Sequence, residues 1–471
     1  MRAHVAVPRD HRAMALRALT VFFAISLPGV AHSQDNAGAS CVIAASRETG
    51  SVYHTAALPG GSVLVSAEKG LYLARARDGQ VALTAATGAK LAPVTSTHAI
   101  AGGMLIGAFN GLFVGQSSGR DASGALAVKA VPSDTEAVFA LHDLPGAGVL
   151  IGAASGTFLA KGQAAAVTVT RVEGDTGRVF EMMPLSKNAV LIAAEKGWFV
   201  ARSTNGKATL APAGKADAGY ARTTREVPGI GLLIEAQAGW FLAREQGGAV
   251  TVAAFGDATT GHVGSVGDLP NGRMLLHTEK GWFIGDSSGG KLAFTGVSGP
   301  DAPKVDRMVA VRDGLLFSSG PGWFVAREKD GKVTFTKAGS FETTNMAFHF
   351  HQLPGGAVLI GALKGLFVIR PSEADASLAK IEAPDTGYIF MMRELAGRRL
   401  LVGAQRDFFT AREENGKVVL TPVGNGVGDT GRLVDVPRYP GFLSHELPDG
   451  TVLFGAQKGL MAAVPKACLR Q

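Results

Sequence analysis

Three Asp-Thr-Gly triplets, at Asp175, Asp385 and Asp429, are the first residues in the chain that suggest chemistry. Two carboxylates carried by such triplets can share one proton and activate a water between them. Gly115-Gln-Ser-Ser-Gly119 and Gly285-Asp-Ser-Ser-Gly289 have the spacing that exposes a nucleophilic serine on a strand-to-helix turn. Gly424-Asn-Gly-Val-Gly has a glycine spacing that suits phosphate binding at the start of a helix. Histidines supply another possibility. His142, His351 and His445 each stand two residues before a leucine that closes a strand-like run. Arg225 and Arg393 hold the same place, and His54 and His349 fall two residues earlier. A metal site needs several such groups converging within a few ångströms.

The elements that would position these groups come from a repeat. A six-residue phrase recurs at Gly70 (Gly-Leu-Tyr-Leu-Ala-Arg), Gly111, Gly156, Gly197, Gly239, Gly281, Gly322, Gly365, Asp407 and Gly459. Successive spacings are 41, 45, 41, 42, 42, 41, 43, 42 and 52 residues, a period typical of propeller blades. Each unit splits into four short strands, A to D. In one copy, strand A starts at Arg178, Leu185-Ser-Lys-Asn makes a turn, and Val190-Leu-Ile-Ala-Ala is strand B. Trp198-Phe-Val-Ala-Arg is strand C, and Ala208-Thr-Leu-Ala-Pro is strand D. β-Branched and aromatic runs separated by Gly, Asn and Asp turns are hairpin grammar. The fold class is therefore all-β: a single β-propeller of about ten four-stranded blades. Two tandem five-bladed rings would need a second closure near the middle, and the spacing there stays between 41 and 43.

That frame disposes of most of the motifs. The Asp-Thr-Gly triplets fall at one D-to-A turn of different blades, where Asp and Gly are favoured for backbone reasons. The serine motifs lead from strand C into strand D and so read as hairpin turns. No helix follows Gly424 to hold a phosphate. In a ten-bladed ring only neighbouring inner strands meet, so His349 and His351 with Arg393 of the next blade form the one close group. They serve either a ligand in the channel or packing between blades. No metal and no cofactor is expected.

The chain ends predict how the ring shuts. The last copy has strands A to C but no D, and Cys41-Val-Ile-Ala-Ala-Ser46 is a strand D with no strands before it. Residues 41–46 with 442–464 would complete one blade and hide its open edges. The two cysteines, Cys41 and Cys468, then fall where other blades have a C-to-D turn, and a disulfide between them is expected in an exported protein.

Export is read from the N-terminus. Arginines precede the apolar run Ala18–Leu27, Pro28 breaks it, and Ala31-His32-Ser33 supplies a cleavage site. Residues 1–33 are taken as a signal peptide and 34–471 as the propeller. The apolar run is shorter than the roughly 20 residues of a spanning helix, so no membrane insertion is expected after cleavage. The net charge is +7, of which +3 belongs to residues 1–33. No Lys/Arg run with interleaved aromatics occurs, which argues against nucleic-acid binding.

Gly356-Ala-Val-Leu-Ile-Gly-Ala and Lys364-Gly-Leu-Phe-Val resemble the phrases of the two-component-regulator type of propeller repeat. The resemblance spans residues 50–465 and implies the fold. It implies no activity, because no kinase or transmembrane segment accompanies the repeats in this sequence. The expectation is a monomeric, periplasmic or secreted, non-enzymatic module that binds a protein, peptide or glycan. A lyase or hydrolase of a polymer is the alternative, and a compact polar cluster on two or three adjacent blades would favour it. The last D-to-A connection is about ten residues longer than the others and carries Arg432, Arg438 and Tyr439. Loops of that kind on a rigid ring often carry recognition; bracing of the closing blade is the other role open to it.

Overall fold

A computed structural model describes residues 40–46, 48–58, 61–77, 80–117, 125–186, 188–214, 221–301, 304–320, 322–370, 376–382, 384–395, 399–423, 444–456 and 459–465. The expected leader, Arg432, Arg438, Tyr439 and Cys468 lie outside these residues. The described chain forms ten sheets, each holding the four strands of one repeat. Blade 1 begins at Val52–Ala57, and blade 2 carries in addition the short strand Thr87–Gly88 along its outer edge.

Blade 4 shows how the sequence builds the unit. Its strands are Val179–Ser186, Ala189–Ala194, Gly197–Thr204 and Lys207–Gly214. Strand A runs on to Ser186, further than expected, which shortens the first turn. Every residue of Ala189–Ala194 is buried. A strand covered on both faces needs no polar alternation, and this accounts for the unbroken apolar run. Asn205 and Gly206 both take positive φ, at 52° and 73°, the backbone of a two-residue hairpin turn that matches the strand twist. Strand D alternates between exposed and half-buried along most of its length, as an outer edge must.

First strands line the axis. Those of adjacent blades touch: Thr95 Oγ1 donates to the Val138 carbonyl (2.5 Å), and Ser265 Oγ to that of Val305 (2.9 Å). In blades 1 to 9 a bulge sits one residue into this strand, as between Val94 and Ser96 or Val179 and Glu181.

Each boundary between neighbouring blades holds its own buried apolar cluster. Leu233 and Phe255 of blade 5 meet Leu276 and Phe283 of blade 6. Leu447, Leu453 and Leu460 of blade 10 meet Val63, Val65 and Ala74 of blade 1. Two five-bladed rings would instead pair blade 5 with blade 1, so the chain makes one ring. Blade 10 is built from Ser444–Glu446, Val452–Ala456, Gly459–Pro465 and the N-terminal Ser40–Ser46, which pairs antiparallel with Gly459–Pro465.

Cys41 stands opposite Val464, four residues before Cys468. A Cys41–Cys468 bond would add a covalent link to the ladder that joins strands C and D. Non-reducing peptide mapping of protein from an oxidising medium is expected to recover one cross-linked pair. Cys468→Ser is expected to cost about 2 kcal/mol in denaturant unfolding. Recovery of two free thiols would refute the pairing.

Candidate functional site

Among the described residues, the sequence motifs that imitate catalytic ones are loops and turns, and Ser118 and Gly119 of the first serine motif lie outside them. Ser288 N donates to Asp286 Oδ1 (2.8 Å) and Gly290 N to the Ser287 carbonyl (3.1 Å), after which strand Ala293–Val297 begins. Asp175 and Asp385 each accept from the N–H of the glycine two residues on, at 3.1 and 3.2 Å. Asp429 and Gly424 lie outside the described residues.

The D-to-A loops share one construction. Thr49, Thr135, Thr176, Thr260, Thr344 and Thr386 are all at most 2% exposed. In all six the next residue takes a left-handed backbone: Gly50, Gly177, Gly261 and Gly387 have φ between 63° and 67°, and Glu136 and Asn345 have 53° and 58°. In blades 1, 4 and 6 a glutamate of the B-to-C turn then accepts from the N–H that opens strand A. Glu68 accepts from Ser51 (3.2 Å), Glu195 from Arg178 (3.1 Å) and Glu279 from His262 (3.3 Å). The neighbouring cation ties back to the loop, as Lys196 does to Asp175, Arg406 to Asp385 (3.0 Å) and Lys364 to the Glu342 carbonyl (2.5 Å). The lysine hydrogen bond also holds the Asp175 carboxyl below its ordinary range. Glu68, Glu195 and Glu279, and Asp175 and Asp385, are therefore engaged within their own loops.

Blade 7 lacks this lock. Its loop reads Ser298-Gly-Pro-Asp-Ala-Pro-Lys304, and its B-to-C turn is Gly320-Pro-Gly322 in place of Glu-Lys-Gly. A cleft of about 880 Å³ lies at this place, lined among others by His262, His277, Glu279, Lys280, Asp301 and Lys304. Trp282, only 4% exposed, holds the loop: its Nε1 donates to the Pro300 carbonyl (2.9 Å), and its ring centre is 4.9 Å from that of His277. Gly299 has to be glycine, since a Cβ there would come within 2.4 Å of the indole.

Blade 8 departs differently. Its B-to-C turn carries Leu363 where the lock glutamate should stand, and Leu363 N donates to the Met346 carbonyl (2.9 Å). Leu363 is 41% exposed and Met346 54%, so two large apolar side chains sit side by side on this face.

The charged neighbours of two inner-strand histidines are defined. His351 faces the carboxylate of Glu394. Arg393 acts on His445 of blade 10. His349 shares a strand and face with His351 at Ala347–Gln352. Elsewhere the fifth residue of one inner strand meets the sixth of the next, as His98 meets Asp143 (3.9 Å) and Arg225 meets Asp268. Among the described residues no group of three His, Cys, Asp or Glu side chains could hold a metal. Sequence reasoning also missed Glu181, an inner-strand carboxyl pushed up to about 7 by burial, against which its contact with Met182 N (3.3 Å) acts. A lone glutamate in a strand carries no sequence mark of burial.

No family model matches the chain, and no curated protein matches it. Solved structures do. One is PorZ, an essential bacterial surface component of the type-IX secretion system of Porphyromonas gingivalis, at 14% identity over 88% of this chain and 69% of that one, with a TM-score of 0.34. Another is the extracellular domain of a putative hybrid two-component system from B. thetaiotaomicron, at 12% identity over 89% and 69%, with a TM-score of 0.32. A third is virginiamycin B lyase from Staphylococcus aureus, at 15% identity over 62% and 96%, with a TM-score of 0.35. None of these likenesses assigns an activity to this chain.

Proposed function

We propose that this propeller is an exported, non-enzymatic binding module that holds a segment of a partner protein on the D-to-A face of blades 6 to 8. The observation that carries this reading is a polar cleft at blade 7 next to an exposed apolar pair at blade 8, on adjacent loops that both depart from the lock. Six blades bury the threonine of the lock. Blade 7 leaves a cleft there, and blade 8 keeps its threonine but exposes Met346 and Leu363 where the glutamate contact would stand. A flexible thioether beside a leucine is a common anchor pocket for peptides, and exposed apolar pairs beside a polar cleft mark contact surfaces. Arg432, Arg438 and Tyr439 of the enlarged last loop remain a second proposed contact region, since Arg and Tyr often dominate interface energies.

The test is capture of a partner from the native envelope by the full chain, followed by affinity measurements on variants. Met346→Ser with Leu363→Ser is expected to weaken binding by about tenfold or more. Arg438→Ala with Tyr439→Ala should weaken it less. If only the second pair matters, the binding face is the last loop. Turnover of a polymer by the purified protein would favour the lyase or hydrolase reading instead.

A further inference from the structure

Blades 10 and 1 meet through two histidines. His54, on Val52–Ala57, and His445, on Ser444–Glu446, face each other across the boundary. His445 Nε2 donates to the Thr55 carbonyl at 3.1 Å, so this nitrogen carries a hydrogen in the closed ring. His54 Nε2 is buried with no hydrogen-bond partner, although the residue as a whole is partly exposed.

The charged groups around the pair set it apart from the other inner-strand histidines. His98 of blade 2 faces Asp143 of blade 3, and His351 of blade 8 faces Glu394 of blade 9. A proton gained there meets a carboxylate. His445 should meet the equivalent residue of blade 1, which is Ala57: Ala57 pairs with Val63 as Asp143 pairs with Val149. From blade 9 it is Arg393 that acts on His445, and from blade 1 it is His54. On its own strand the next residue, Glu446, is exposed, and side chains alternate along a strand, so it points away from His445. Two protons at this boundary would therefore place His54, His445 and Arg393 together with no carboxylate from blade 1 opposite His445.

We infer that the boundary between blades 10 and 1 is an acid-sensitive closure, which loosens when His54 and His445 take up protons, and does so more than the boundaries where His98 and His351 have a carboxylate opposite. The location matters because Ser444–Pro465 reach the beginning of the ring only through this boundary and the ladder to Ser40–Ser46. Burial, and after it His445, lowers His54 to about 4. Burial also lowers His445, with the Thr55 carbonyl opposing and Arg393 adding to the effect. A histidine freed by opening returns to about 6.5. Open forms then bind protons first, so closure is at full strength above about pH 6.5 and weakens as pH falls toward 4. From His54 alone, the opening equilibrium should rise about twentyfold between pH 7 and pH 5.

Hydrogen exchange of the full chain, read peptide by peptide at the two pH values and corrected for intrinsic rates, measures this directly. Peptides containing Val52–Ala57 and Val452–Ala456 should open about twentyfold more at pH 5, and Gly314–Ser319 of blade 7, which holds no titratable side chain, should change by less than about threefold. His54→Gln with His445→Gln should remove the difference. His445→Gln alone keeps a donor for Thr55 and should reduce it, which covers the case where the double variant does not fold. A uniform response around the ring, or a full effect retained in either variant, would overturn the inference.

Discussion

Val42→Asp is expected to destabilise the ring by about 4 kcal/mol and to open blade 10 before any other blade. Val42 is 1% exposed and lies among Phe390, Phe408, Val452 and Phe454, between blades 9 and 10. Its N–H donates to the Val423 carbonyl of blade 9 at 3.0 Å, so this one residue joins the N-terminal strand to the neighbouring blade. Aspartate there loses the burial of a valine and places a carboxylate in an apolar cluster, which must either take up a proton or drag the strand out. Urea unfolding followed by limited proteolysis checks both parts: cleavage should begin within Val452–Ala456 or Gly459–Pro465. Val42→Ala, which leaves only a small cavity, should cost about 1–2 kcal/mol without that shift in cleavage site. Parental stability in the Val42→Asp variant would show that the strand contributes little to closure.

Trp323→Ala should cost about 3–5 kcal/mol. The indole is 1% exposed, packs between blades 7 and 8 with Phe367 and Ile360, and lies 5.8 Å from the Phe350 ring centre. Its Nε1 donates to Thr344 Oγ1 at 3.0 Å, and Thr344 is the buried threonine of the blade 8 loop. Thermal unfolding would give the stability change. Trp323→Phe separates the two contributions: it keeps most of the apolar contact and leaves Thr344 without its indole donor, for about 1–2 kcal/mol. Hydrogen exchange across Phe341–Thr344 should quicken in both variants, since the loop loses its anchor in each. Because that loop leads directly to Met346, the phenylalanine variant should also weaken partner binding if the proposed face is correct.

Much of the architecture was legible because a repeat states its grammar many times. Gly70, Gly111 and Gly197 each open strand C with φ between 121° and 145°, a backbone that L side chains rarely adopt. The 41 to 43 residue spacing follows from four short strands and their turns. The strand Ser40–Ser46 could be assigned to blade 10 by subtraction, as the last copy lacked a strand D. The bulge after the first residue of strand A was not legible, since it depends on how each blade meets the next. Which inner-strand residues face each other was not legible either, as with Arg393 acting on His445 and Glu394 on His351.

The sequence by itself determined the number of blades, their strand order, the closing strand and the turn character of Asp-Thr-Gly and Gly-x-Ser-x-Gly. All of these rest on interactions within one repeat or on its periodicity. Tertiary structure decided which polar residues are already engaged. Glu195 and Lys196 look available until the loop holding Arg178 and Asp175 folds onto them. Leu363 and Met346 look like ordinary turn residues until their neighbours are found to leave them uncovered. The cleft beside Trp282 likewise exists only once blades 6 and 7 are side by side. Satisfaction and exposure belong to pairs of surfaces, and a sequence records only one member of each pair at a time.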